Sequence, residues 1–385
     1  MNILIEGGNL NPIAEGTRNI AISYAKKLKE RGHNVIVLTK QIDRVGKMKY
    51  KKVSTEDGIK FYRWSNYCDK FYKHVEGGKK IPRGIYNFLK LINYLEFYLT
   101  YKKILEKENI DISQVFLKGL RPRMYYNSLK FLNKCPLIVT LLGDPSFNYI
   151  KYNPKKDFNN IDLIIVTSKT VYNHMKNLGV KNLKYLSYGI DVKRFIPSKK
   201  SKNNKIKKIY CSRYYDRLSE LTRSLKKINN EEKIKIIAGK VMNSELSHGG
   251  FKNKELEKAT KNIVYIGVLK KIEDLFKKID IMIDLHRENK YITSASPPAK
   301  ILEAMSSGVV VISTNLPEMR EVITDGKNGF LIKEGSSKEI YKKIKQALNS
   351  NKDIGKNARK TILEKFNLNK SIIEYENIYK SLIKK

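Results

Sequence analysis

The feature that most limits what this chain can fold into is an alternation, run through twice, of short apolar segments with longer stretches of helical periodicity. It opens at Asn2–Glu6, an apolar run broken by Gly7-Gly8. Ile20, Ala21, Tyr24, Ala25 and Leu28 then recur at helical spacing, with Thr17 as the expected N-cap. Arg31-Gly32-His33 ends that helix, and Val35–Leu38 reads as a buried strand. A strand–helix–strand beginning predicts a parallel sheet with helices on both faces.

The first series continues with strands expected at Ile59–Trp64, Gln114–Leu117, Leu137–Leu142 and Leu163–Thr167, and helices at Ile85–Lys107 and Thr170–Asn177. Around Ser198–Lys208 the chain turns polar and strongly basic, which marks a linker. The second series has strands at Ile206–Cys211, Ile234–Ala238, Ile263–Ile266, Ile279–Leu285 and Val309–Ser313. Helices lie between them and at Lys338–Leu348 and Leu368–Lys384. The expected division is one Rossmann-like domain over 1–197 and a second over 206–367, with the terminal helix 368–385 packing back on the first. No repeat of solenoid length is present.

A length of 385 residues is enough for two domains that each bury a core. No uncharged apolar run reaches the roughly eighteen residues of a transmembrane helix. The N-terminus reads as a strand and not as a signal peptide, so a cytoplasmic location is expected, extending to the inner face of the cell membrane. The three cysteines, Cys68, Cys135 and Cys211, stand far apart. Neither a disulfide framework nor a zinc site follows; buried, idle thiols do. The net charge of +39 attracts nucleic acid, anionic lipid or phosphorylated small molecules and does not choose among them. No RNP pattern, zinc finger or helix-turn-helix gives nucleic-acid binding a mechanism, so no nucleic-acid partner is expected.

Three segments in order resemble the retaining glycosyltransferases of family 4 (glycosyl transferases group 1). The first is Gly7-Gly8 with Arg31-Gly32-His33-Asn34-Val35. The second is Tyr188-Gly189-Ile190-Asp191-Val192 with Phe195 and Pro197. The third, the most specific, is Lys300–Gly308 followed by Glu321-Val322-Ile323 and Asp325-Gly326-Lys327-Asn328-Gly329-Phe330. The resemblance implies an α/β fold of GT-B type, two Rossmann-like domains facing each other across a cleft. It implies transfer of a sugar from a nucleotide-sugar donor to an acceptor hydroxyl, with retention, in cell-surface glycan or glycolipid synthesis. The donor would sit mainly on the second domain and a glycan or lipid-linked acceptor on the first, with closure excluding water. An inverting GT-B relative or a nucleotide-sugar epimerase is one alternative. A non-catalytic protein binding nucleic acid or an anionic surface on a degenerate fold is another.

Ser296-Pro297-Pro298 reads as a helix start, with serine as cap and the prolines in the first turn, running through Ala299–Ser306 to a stop at Gly308. Its N-terminus, with Ser296 and Lys300, suits a diphosphate. Glu303, about 9 Å further along, would bind a ribose hydroxyl, the role the resemblance implies. The family pattern has a second glutamate earlier, which holds the donor sugar; here that position is Ala295, with Glu288 or Ser294 as substitutes. Arg213 follows the first strand of the second domain, where the resemblance places a cation that stabilises the leaving diphosphate. The family lysine five residues on is Leu218, with Arg217 one position before it.

Gly8, Gly16 and Gly239 allow close backbone approach to the donor, with an ordinary turn glycine as the equal alternative. Asp144, at the end of Leu137–Leu142 and within Gly143-Asp144, orients the acceptor or serves a turn. Of the five histidines, His33 lies in a structural turn and His286 at a strand end near the donor site. No Asp-x-Asp motif precedes a donor loop, so neither a metal nor another cofactor is expected beyond the nucleotide sugar. The stretch Phe71–Lys107 mixes Lys and Arg with Tyr72, Phe88, Tyr94, Phe97, Tyr98 and Tyr101. It suits peripheral contact with an anionic membrane, or an amphipathic helix with its aromatics packed on the sheet.

Overall fold

The structure is a computed structural model. It describes residues 1–7, 16–41, 50–65, 82–117, 129–132, 134–143, 158, 161–198, 206–212, 218–231, 234–239, 263–266, 271–286, 296–349 and 353–384. Two compact units divide the chain: Met1–Gly189 with Leu368–Lys385, and Ile190–Asn367. The passage between them falls at Gly189–Ile190, ahead of the basic run at which the sequence suggests a linker.

The first unit holds β1 (Asn2–Gly7), β2 (Asn34–Lys40), β3 (Val53–Glu56), β4 (Ile59–Trp64), β5 (Ile112–Leu117), β6 (Leu137–Leu141), β7 (Leu163–Val166) and β8 (Leu183–Tyr185). They form one sheet in the order β3-β4-β2-β1-β5-β6-β7-β8. β3 is antiparallel to β4, and the remaining neighbours are parallel. β5 and β6 are buried along their whole length, as a parallel sheet covered on both faces requires. The first helix runs Gly16–Glu30, so Thr17 lies inside it and is not its cap. Ser168 does cap Lys169–Asn177, accepting from the Val171 amide at 3.5 Å.

The terminal helix Leu368–Ile383 belongs to this first unit. Tyr375 packs edge-on against Tyr24, their ring centroids 5.1 Å apart, and its hydroxyl lies 2.9 Å from Thr140 Oγ1. The Arg31 guanidinium donates twice to Glu376, at 2.7 Å each, and His33 Nε2 lies 2.8 Å from the same carboxylate. The Arg-Gly-His turn of the first family-like segment is therefore a docking point for the last helix. Gly32 takes φ +87° there, a conformation costly for any residue with a Cβ.

The second unit is a sheet of β9 (Lys207–Cys211), β10 (Ile234–Gly239), β11 (Ile263–Ile266), β12 (Ile281–Asp284), β13 (Val310–Thr314) and β14 (Phe330–Ile332). Its order is β11-β10-β9-β12-β13-β14, with every pairing parallel. Strand order reverses between β9 and β12. That reversal is the place where open α/β sheets bind ligands, beyond the carboxyl ends of the strands.

Two of the family-like segments prove to be fasteners. Asp191 Oδ1 accepts from the Lys193 and Arg194 amides at 3.0 and 3.2 Å, holding a turn that delivers Arg194 and Phe195. In the Asp325–Phe330 turn, Asn328 donates to the Val322 carbonyl at 3.0 Å and to Thr361 at 2.9 Å, while the Thr324 amide donates to Asn328 Oδ1 at 2.7 Å. Gly326 has φ +73°. Among the described residues, no helix is long and apolar enough to cross a membrane.

Candidate functional site

The switch point of the second unit sets Ser212, just past β9, beside Asp284 at the end of β12. Ser212 Oγ donates to Asp284 Oδ1 at 2.5 Å, and His286 Nε2 lies 3.1 Å from Asp284 Oδ2. The His286 amide donates to Thr314 Oγ1 at 3.0 Å, and Ser313 Oγ to the Asp284 carbonyl at 2.8 Å. All five residues are buried. Both oxygens of Asp284 are thus engaged in holding a serine and an imidazole at the mouth of the sheet. His286 stands where the sequence puts it; Ser212 and Asp284 are additions.

Glu318 follows β13 in the short helix Pro317–Arg320 and is also buried. Among the described residues, no donor reaches its Oε2. Desolvation raises its carboxyl above the ordinary range, partly countered by its own amide and by the nearby His286. A buried carboxylate oxygen without a donor is costly, which makes this atom a place for a hydrogen-bonding ligand.

The helix Ala299–Ser306 begins later than the sequence suggests. Its N-cap is Pro298, without a side-chain cap, so Ser296 is not the capping residue; Ser296 is buried two residues earlier. The cause is the proline pair, because a residue before proline is turned away from helical geometry. Both prolines therefore stay outside the helix and remove no amide from its first turn. The Ile301 amide donates to the Pro298 carbonyl at 2.9 Å. At the other end, Gly308 has φ +70° and stops the helix as expected.

Lys300 and Glu303 lie on this helix. Glu303 is half-buried, and desolvation raises its carboxyl to about 7, with Arg194 and then Lys300 pulling it back and Glu273 pushing it up. Arg194 is itself paired with Glu273 at 2.8 Å. The helix is anchored from below: Ser306 Oγ donates to the Phe195 carbonyl at 2.7 Å, and Arg359 donates to the carbonyls of Phe195 and Ser306 at 2.8 and 2.5 Å. The Ile190–Phe195 segment thus positions the helix that carries Glu303.

Gly16 opens the first helix and Gly239 closes β10 at its carboxyl end. Arg213, Arg217, Asp144 and Gly8 lie outside the described residues, as do Ala295, Glu288 and Ser294. Burial lifts the thiol of Cys211 to about 12 and that of Cys135 to about 11, so both are inert as nucleophiles. Among the described residues, no group of three or more His, Cys, Asp or Glu is placed to hold a metal.

Residues 189–361 match the family described as Glycosyl transferases group 1, so the second unit carries such a domain. An uncharacterised glycosyltransferase of Methanocaldococcus jannaschii, MJ1069, is 26% identical over 257 residues, 62% of this chain and 63% of that protein. The chain thus spans somewhat less than two thirds of that relative's length. Sucrose-phosphate synthase from Thermosynechococcus elongatus superposes with a TM-score of 0.72 at 14% identity, covering 99% of this chain and 98% of that one. HepE of Anabaena, solved in complex with UDP, gives a TM-score of 0.69 at 16% identity, covering 99% and 100%. These likenesses establish the fold: α/β, with parallel-sheet Rossmann-like domains of the GT-B glycosyltransferases.

Proposed function

We propose that this chain, whose second unit carries a Glycosyl transferases group 1 domain, moves a sugar from a nucleotide-sugar donor to an acceptor hydroxyl with retention at the anomeric carbon. The observation that carries this reading is Glu303, a half-buried carboxyl facing positive charge from Arg194 and Lys300 on the helix that follows the switch-point strands. In the reaction the anomeric C–O bond to the diphosphate breaks and a bond to the acceptor oxygen forms. The acceptor proton passes to the departing phosphate, so no separate general base is required. Arg213 and Arg217 neutralise the leaving diphosphate, without a metal. Gly8, Gly16 and Asp144 serve the first-domain side of the reactants, and Gly239 the donor. The acceptor is a glycan or lipid-linked hydroxyl of cell-surface glycan synthesis, reached from the cytoplasmic side.

Glu303 takes the ribose hydroxyls in this scheme. Those hydroxyls donate to the charged carboxylate, so nucleotide binding lowers a carboxyl that stands at about 7 in the free protein. Binding then expels a proton near neutral pH. UDP affinity is expected to rise with pH and level off above neutrality, weakening by up to about tenfold for each unit below 7. Calorimetry in buffers of different ionisation enthalpy reads both effects. A pH-independent affinity without proton release would remove Glu303 from the ribose.

With alanine at 295, the carboxylate that accepts from the donor-sugar hydroxyls is assigned to Glu318, beside His286. Glu318→Gln is expected to leave UDP affinity within about twofold while lowering turnover by about tenfold or more. It is also expected to raise Tm, increasingly as pH climbs above the ordinary carboxyl range. The sign follows from the raised carboxyl: the ionised form costs the folded state stability, and that cost is absent in acid. Unchanged turnover with a raised Tm assigns the residue a purely structural place. Product anomeric configuration separates retention from inversion.

A further inference from the structure

The Arg83–Lys107 helix has two apolar faces. Phe97, Tyr101 and Ile104 are buried against the first sheet, where Phe97 meets Trp64 edge-on with ring centroids 5.8 Å apart. On the far side Ile85, Phe88, Leu91, Leu95 and Leu99 are exposed by 51, 62, 61, 56 and 54%. At 100° per residue these five fall within an arc of about 120°, along a helix of about 37 Å. Five large apolar side chains in one continuous stripe differ from the single exposed hydrophobes of an ordinary surface.

We propose that this stripe is a docking surface for an anionic phospholipid membrane, with the helix lying in the plane of the lipid headgroups. Charge selects this occupant. The chain carries +39, so two copies brought face to face repel, whereas an anionic bilayer attracts. The helix itself has Arg83, Lys90, Lys102, Lys103 and Lys107 against Glu96 and Glu106. Lys102 and Lys103, both exposed, stand at the end of the stripe, where their heads reach lipid phosphates while the leucines enter the acyl boundary. One set of side chains on this helix holds the fold, and the other is left for the bilayer.

The test uses the full chain and does not depend on any sugar transfer. Sedimentation with vesicles of phosphatidylcholine alone is compared with sedimentation with vesicles of phosphatidylcholine and phosphatidylglycerol. Wild type is expected to bind the mixed vesicles, to lose part of that binding in high salt, and to bind the neutral ones weakly. Leu91→Asp with Leu95→Asp is expected to weaken binding by about tenfold or more at unchanged Tm, since both positions face solvent. Lys102→Glu with Lys103→Glu gives a second variant, expected to weaken binding mainly at low salt. Three outcomes overturn the proposal: wild type ignoring the anionic vesicles, both variants binding as wild type does, or a wild-type dimer that Leu91→Asp with Leu95→Asp dissociates. The last would give the stripe to a second copy.

Discussion

Glu303→Ala is expected to lower kcat/KM for sugar transfer by about 1000-fold, because in the proposed scheme its carboxylate accepts charge-assisted hydrogen bonds from the ribose hydroxyls. The same change is expected to leave the fold more stable at pH 8. Glu303 is raised to about 7 in the folded chain from an ordinary 4.5, so its ionised form works against folding. That cost is absent in acid, grows between the two values and is complete above neutrality. It amounts to about 3 kcal/mol as an upper figure, less what partial exposure returns. Activity and stability therefore move in opposite directions, which a residue placed for packing would not do. Arg213→Ala is expected to cost about 100- to 1000-fold in kcat with nucleotide binding largely kept, because in the proposed scheme its charge matters most as the diphosphate departs. Initial rates of nucleoside diphosphate release and thermal unfolding at pH 5 and pH 8 check both variants. Near-normal turnover in the pair would falsify the site.

Gly355→Ala is expected to destabilise the second unit by about 3 kcal/mol, a fall in Tm of roughly 6 to 12 °C. A Cβ at Gly355 would press on the Gly308 carbonyl oxygen, closer than real side chains come to backbone. Gly308 cannot yield easily, since its φ of +70° ends the Glu303 helix and its own Cα faces Pro197. The helix Asp353–Lys365 would have to back away, loosening the Arg359 bonds that hold the helix from below. Nucleotide affinity is expected to fall with stability in this variant, unlike in Glu303→Ala. Gly84→Ala is the comparison: nothing lies within 4 Å of its Cβ position, and it is expected to gain up to about 1 kcal/mol. Scanning calorimetry distinguishes the two glycines directly.

The parts of this fold that depend on local composition were open to reading from the residues. Val35–Leu38, Ile209 and Ile263–Ile266 lie in runs apolar enough to announce buried parallel strands. β3, β8 and β14 do not: each is three or four residues long, and Val53-Ser54-Thr55-Glu56 is largely exposed. The helix start at Ala299 is hidden because serine before two prolines looks like a cap, while the backbone restriction of Pro298 moves the first turn past it. At the site, His286 was legible from its place at a strand end. Ser212 and Asp284 were not, since they are 72 residues apart in sequence and meet only because β9 and β12 are neighbours. Glu318 carries no motif; its interest comes from an oxygen left without a donor, which only side-chain packing reveals. Conversely Asp191 and Asn328, in two of the family-like segments, hold turns.

The first unit is built from two stretches that flank the second in sequence, and this bears on its synthesis. Until Leu368–Ile383 leaves the ribosome, Tyr24 and Phe116 lack the aromatic face of Tyr375, and Arg31 and His33 lack the carboxylate of Glu376. The second unit, continuous from Ile190 to Asn367, has its whole sequence available earlier. Of the two sheets, the one begun first is therefore completed second. A nascent chain halted before Leu368 presents an uncovered aromatic surface to chaperones, even with the whole second unit already made.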